Sequence, residues 1–84
     1  MNFEIKFSKN ASKFLRKLPE DILNRIKSKF NEISLEPFRY LKHFEREDCY
    51  KLRIGEYRGL IDVDFNNKVL FVRIFDKRGR VYKN

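Results

Sequence analysis

Two short turn signals in the C-terminal half restrict this chain more than any other feature. Tyr50, Leu52 and Ile54 alternate with Lys51 and Arg53, and two apolar-rich segments follow, Tyr57 to Phe65 and Lys68 to Phe75, set apart by Gly55-Glu56 and by Asn66-Asn67. Alternation of this kind marks half-buried strands. A two-residue loop with glycine first suits a type II′ hairpin turn, and asparagine tolerates the positive φ of tight turns. Together they predict a three-stranded antiparallel meander whose register is fixed. Ile54 then faces Tyr57, Arg53 faces Arg58 and Lys51 faces Leu60. After the second turn Phe65 faces Lys68, Leu60 faces Arg73 and Arg58 faces Phe75. One face collects Leu52, Ile54, Tyr57, Ile61, Val63, Leu70, Val72 and Ile74, so it must be covered. The other collects Lys51, Arg53, Arg58, Asp62, Phe71, Arg73 and Phe75.

The N-terminal half supplies the cover. Phe3, Ile5 and Phe7 alternate with polar residues and predict a strand. Ser8 is a natural N-cap. Ala11, Phe14, Leu15 and Leu18 fall on one helical face. Pro19 interrupts that pattern and suits the first position of a second helix, with Glu20 and Asp21 at the anion-favouring end of its dipole. Ile22, Leu23, Ile26, Phe30 and Ile33 form its apolar stripe, and Pro37 ends it near Leu35. Residues 36–47 lack periodicity and read as a connecting loop. The expected fold class is α+β: an N-terminal strand, a helical hairpin, then the meander, with both helices on one face of the sheet.

With 84 residues, one domain spanning 1–84 is expected, burying about 64% of its unfolded surface. Thirteen aromatic side chains, nine Phe and four Tyr, argue against disorder despite the charge. A single cysteine excludes an internal disulfide framework and a cysteine-rich zinc module. The opening residues are charged and no long apolar run follows, so neither a signal peptide nor a membrane span is expected, and the compartment expected is the cytoplasm.

Charge points to the chemistry. Twenty Lys and Arg against twelve Asp and Glu give +8, a balance suited to a polyanion such as nucleic acid. The basic residues cluster. Arg53 and Arg58 are predicted to be directly opposed, which costs about 0.2–1 kcal/mol against a neutral pair. Lys51 and Arg73 add to the same field, and Phe71 and Phe75 beside it offer rings for base stacking. Lys77, Arg78, Arg80 and Lys83 then put four cations into seven residues around Tyr82. His43 is the only histidine, which excludes a two-histidine ribonuclease. Cys49 reads as inert, and Asp62 and Asp64 as charge balance rather than a metal site. No phosphate-cradling glycine loop or zinc spacing occurs, so neither metal nor small-molecule cofactor is expected.

The segments DCYKLRIGEYRGLIDVD and VLFVRIFDKRGRVY, following the opening FEIKFSKNASKFLRKLPEDILNRI, resemble the RelE/ParE toxin superfamily over nearly the whole chain. The RelE branch is implied most directly. That resemblance implies a toxin that cleaves mRNA in the ribosomal A site and is silenced by a cognate antitoxin. It implies catalytic roles for Lys51, Arg53, Arg58, Arg78 and Tyr82; the cationic face and basic tail add Arg73, Lys77, Arg80, Phe71 and Phe75 as expected RNA contacts. It also implies that the tail folds back onto the cationic face. Position 53 is Lys in some relatives, and the spacing before Tyr82 leaves Arg78 and Arg80 as rivals for the tail role. The alternatives are a ParE-like inhibitor of DNA gyrase, or a non-catalytic RNA-binding module on the same fold. The implied partners are the ribosome, mRNA and an acidic, partly helical RelB-like antitoxin, whose docking would use either the cationic face or surplus apolar surface around Leu23.

Overall fold

The computed structural model describes residues 2–81. Strand β1 (Glu4–Phe7) leads into helices α1 (Lys9–Arg16) and α2 (Glu20–Leu35). A single 3₁₀ turn (Pro37–Arg39) follows, then β2 (Lys42–Phe44), β3 (Cys49–Ile54), β4 (Tyr57–Asp64) and β5 (Val69–Lys77). The sheet order is β1-β5-β4-β3-β2. β1 lies parallel to β5, and the other neighbours are antiparallel. The expected α+β architecture is therefore present. No helix among the described residues is long and apolar enough to cross a membrane.

Local chemistry explains the helix boundaries. The Ser8 hydroxyl accepts a hydrogen bond from the Ala11 amide at 3.0 Å, capping α1. Pro19 sits at the cap of α2 rather than inside it, with ψ of 150°, one position earlier than expected. Between helices and sheet lie Ala11, Ile26, Phe30, Ile33, Leu52, Tyr57, Ile61, Leu70, Val72 and Phe75, all buried.

Three expectations need correction. First, residues 36–47 are not all loop: β2 pairs with β3, putting Lys42 opposite Lys51 and Phe44 opposite Cys49. Three residues are too few to show a period, so tertiary pairing decides this edge strand. Second, the Asn66-Asn67 turn is wider than two residues. The last rung is Asp64–Val69. The Asp64 carboxylate accepts from the Asn67 amide at 3.0 Å and its side-chain Nδ2 at 2.9 Å. Lys68 takes up the left-handed φ of 56°. The rungs from Ile61 to Asp64 keep the expected register.

Third, Phe75 lies in the core and not on the cationic face. Ile61 pairs with Val72, but Leu60 pairs with Ile74, so Arg73 is the extra residue of a β-bulge. Beyond it, parity reverses. Arg58 faces Asp76 instead of Phe75, and Leu60 faces Ile74 instead of Arg73. Phe75, 2% exposed, packs against Phe14, Phe30 and Tyr57 with ring centroids 5.6–6.1 Å apart. Burying such a ring is worth about 1.5–3 kcal/mol, which offsets the interrupted ladder. Gly59, opposite, makes room: a Cβ there would sit 3.1 Å from the Phe75 ring and 3.2 Å from the Ile74 carbonyl. The bulge carbonyl is not orphaned, because the Ser8 hydroxyl donates to the Arg73 oxygen at 2.6 Å.

Candidate functional site

The sheet face turned away from the helices carries the basic residues. Because alternation is kept along β3 and β4, Lys51 and Arg53 share that face with Arg58, Leu60 and Asp62. The Gly55-Glu56 turn forms as expected: Ile54 pairs with Tyr57, Arg53 with Arg58 and Lys51 with Leu60. The opposed arginines therefore exist, at the hairpin end of the sheet. Gly55 has φ of 58°, and the turn closes tightly enough for the Arg58 Nη1 to donate to the Gly55 oxygen at 2.8 Å and the Tyr57 oxygen at 2.9 Å. Two neutral carbonyls orient the guanidinium without cancelling its charge.

Lys51 lies in the next rung. Its Nζ sits 4.9 Å from the centroid of the Phe44 ring, a cation–π contact that directs the ammonium along the face. Lys42, directly across from Lys51, adds a second cation that sequence reading assigned to a loop.

The tail reaches the same end of the sheet. The Arg78 amide donates to the Glu56 oxygen at 2.8 Å, and the Arg80 amide to the Lys77 oxygen at 3.1 Å. Gly79, at φ of 92°, reverses the chain. Val81 is then buried with Cys49 and Leu60, with Phe44 and Ile74 around them. This small apolar cluster on the outer face pins the segment after β5 across the sheet, next to Lys51. Arg78 and exposed Lys77 thus sit beside the hairpin. Arg80 is 3.7 Å from the Asp76 carboxylate. Tyr82 lies outside the described residues.

Two other expected RNA contacts fall elsewhere. Arg73 is committed to a carboxylate: its Nε and Nη2 donate to the two oxygens of Asp62 at 3.2 and 2.5 Å, with Glu47 at 3.7 Å. The hydrogen bonds to Asp62 push its guanidinium further above its ordinary value, and much of its charge is compensated. Phe71 is on the outer face and 38% exposed. It pairs with Asp62, four residues along β4 from Arg58, about 13 Å at 3.3 Å per residue. Phe71 and the arginine pair therefore occupy opposite ends of the face.

The remaining reactive groups belong to packing. Burial pushes the Cys49 thiol up, so it is held as a neutral thiol under the tail. His43 faces the other side of the sheet, its ring against Tyr50 at 5.2 Å and its Nε2 3.6 Å from Asp48. Among the described residues no group of three or more His, Cys, Asp or Glu could hold a metal ion. What the hairpin end does offer is concentrated, oriented positive charge beside the tail, suited to a phosphodiester.

On the helix side, a second feature is an open groove of about 640 Å³ between β1, α1 and α2. Its floor is apolar, from Phe3, Ile5, Phe7, Leu15, Leu23 and Phe30, and Arg16 and Lys27 stand in its lining.

Comparison with known proteins gives a consistent set of likenesses. The profile of the family described as "ParE toxin of type II toxin-antitoxin system, parDE" matches residues 5–81. RelE1 of Methanocaldococcus jannaschii is 28% identical over 89 aligned positions, covering 100% of this chain and 99% of that protein. A chain of the toxin–antitoxin complex RelBE2 of Mycobacterium tuberculosis superposes with a TM-score of 0.82 at 30% identity, covering 93% of this chain and all of that one. A chain of the archaeal RelE–RelB complex of Pyrococcus horikoshii gives 0.75 at 25% identity, over 96% of this chain and 100% of that one.

Proposed function

The chain belongs to the RelE/ParE superfamily of type II toxins, on its RelE-like side, and from that premise we propose that it cleaves mRNA in the ribosomal A site. The observation that carries this reading is the Arg53–Arg58 pair, opposed across two strands, with the Arg58 guanidinium held by carbonyls. A structural arginine is normally paired with a carboxylate, as Arg73 is. Among the described residues Arg53 and Arg58 form no ion pair, since Asp76, which faces Arg58 across the ladder, is engaged by Arg80, and an opposed like-charge pair of this kind is a cost that a bound phosphate repays.

The reaction is attack of a 2′-hydroxyl on the adjacent phosphorus. The 2′-oxygen–phosphorus bond forms and the bond to the 5′-oxygen breaks, leaving a 2′,3′-cyclic phosphate and a 5′-hydroxyl. Lys51, Arg53 and Arg58 stabilise the charge that builds on the phosphate. Tyr82, as the phenolate, takes the 2′-proton, and Arg78 binds the phosphate beside the leaving 5′-oxygen, which takes its proton from water; the counter-ion on Arg80 favours Arg78 for that role. Phosphate-charge stabilisation by side-chain cations makes the chemistry metal-independent. With no histidine pair to move protons, rate depends on alignment, which supplies about 7–11 kcal/mol in well-oriented reactions. The ribosome provides that alignment.

A cognate antitoxin silences the toxin, as the RelE–RelB complexes among its likenesses suggest. The groove between β1, α1 and α2, apolar below and basic at Arg16 and Lys27, suits an amphipathic acidic segment that orders on binding.

The test is incubation with translating ribosomes, with the RNA ends mapped. Cyclic phosphate ends that persist in EDTA under conditions that keep ribosomes intact, and that vanish in folded Arg58→Ala, are expected. Cleavage surviving Arg58→Ala overturns the site, and equally fast cleavage of naked RNA overturns ribosome dependence. The ParE family match gives gyrase inhibition a specific claim, and a supercoiling assay decides it.

A further inference from the structure

We infer that Gly55 is a positioning residue for phosphate binding by Arg58, acting through its own carbonyl. The idea rests on the nucleic-acid reading of the hairpin end, and deepens it. Of the arginines on this face, Arg73 is oriented by Asp62 and Glu47, and Arg80 lies near Asp76. Arg58 is oriented differently. Its Nη1 is shared between the oxygens of Gly55 and Tyr57, at 2.8 and 2.9 Å. Among the described residues no carboxylate forms an ion pair with it, and its Nε and Nη2 make no hydrogen bond. One nitrogen is therefore anchored, and the outward edge of the fork stays available for two oxygens of one phosphate.

The anchor depends on the turn. The direction of the Gly55 carbonyl is set by the 55–56 peptide, and Gly55 holds the left-handed φ of 58° while Glu56 does not. A β-branched residue is driven out of that region, which rotates the carbonyl away from the guanidinium. Asparagine tolerates it. The site is also sterically open: a Cβ at Gly55 would meet nothing within 4 Å. A Cβ there introduces no clash, so the conformational demand dominates the effect of a substitution.

The test is a double-mutant cycle. Affinity is measured for a single-stranded RNA oligonucleotide carrying one 2′-deoxy residue, across a salt series, with circular dichroism to verify the fold. In the otherwise native chain, Gly55→Val is expected to weaken binding about threefold to tenfold and to lower the salt slope by about one, as Arg58→Ala does. Gly55→Asn stays within about twofold, and in the Arg58→Ala background Gly55→Val costs less than about twofold, because neighbours acting through one contact are not additive. Equal losses for Val and Asn, or the same loss in both backgrounds, overturn the positioning role. The binding cycle needs no cleavage: if mRNA on translating ribosomes is left uncut while the cycle holds, the nuclease reading alone falls.

Discussion

Replacing Ser8 tests how the helical layer sets the arrangement of the basic face. Ser8 uses one hydroxyl twice, accepting from the Ala11 amide at 3.0 Å and donating to the Arg73 carbonyl at 2.6 Å. Ser8→Ala removes an N-cap, worth about 1 kcal/mol. It also leaves a half-buried carbonyl in the bulge without its donor, about another 1 kcal/mol. The sum of about 2 kcal/mol is a large share of the ~4–13 kcal/mol expected for 84 residues. Urea unfolding reads it directly. With a slope of about 1 kcal/mol per molar, the midpoint falls by about 2 M at unchanged slope. Ser8→Asp separates the two bonds, since its carboxylate still caps α1 but cannot donate to Arg73; about half of the loss returns. A midpoint in Ser8→Ala within about 0.5 M of the native chain refutes the reasoning, as does a Ser8→Asp protein no better than Ser8→Ala.

Three further outcomes follow from the structure. Phe75→Glu is expected to abolish folding at 25 °C, since it buries a carboxylate among Phe14, Phe30 and Tyr57, whereas Phe71→Glu changes stability by less than about 0.5 kcal/mol; thermal melts of the pair check it, and similar melts would mean that the bulge is misplaced. The Asp64 pKa is held below its ordinary 3.8 by hydrogen bonds from Asn67. Its stabilising contribution is therefore complete above that value and lost as pH falls through the lower folded value. Asp64→Asn should lower neutral stability toward its acid value and so flatten the acid limb of a stability–pH curve measured by urea unfolding, and an unchanged acid limb argues against the Asn67 contact. Leu23→Asp, in the apolar groove, should weaken antitoxin binding measured by titration calorimetry by about tenfold or more while ribosome-dependent cleavage persists; the opposite pattern, with binding lost only in Arg53→Glu or Arg58→Glu, moves the antitoxin to the basic face.

Much of this protein is written locally. The Ser8 cap, the end of α2 near Leu35 and the Gly55-Glu56 hairpin each depend on a few adjacent residues whose backbone preferences are strong. The opposed Arg53–Arg58 pair follows from that hairpin by counting, because a two-residue turn leaves no freedom in the rungs beside it. The resemblance of the strand and tail motifs to RelE toxins was legible for the same reason.

Other features were settled only by contact between distant segments. Strand β2 exists because β3 offers it an edge, and with it come Lys42 and the Phe44 ring beneath Lys51. The bulge at Arg73 shifts the second half of β5 by one residue, and no turn signal announces it. It forms because Gly59 leaves space for a ring, Phe14, Phe30 and Tyr57 surround that ring, and Ser8 satisfies the released carbonyl. The shift exchanges Phe75 and Ile74 between faces and supplies the seat on which Val81 turns the tail back. A period of two fixes which side chains share a face only while the ladder is unbroken. Where one residue is inserted, the choice of face passes from the sequence pattern to the free energy of packing.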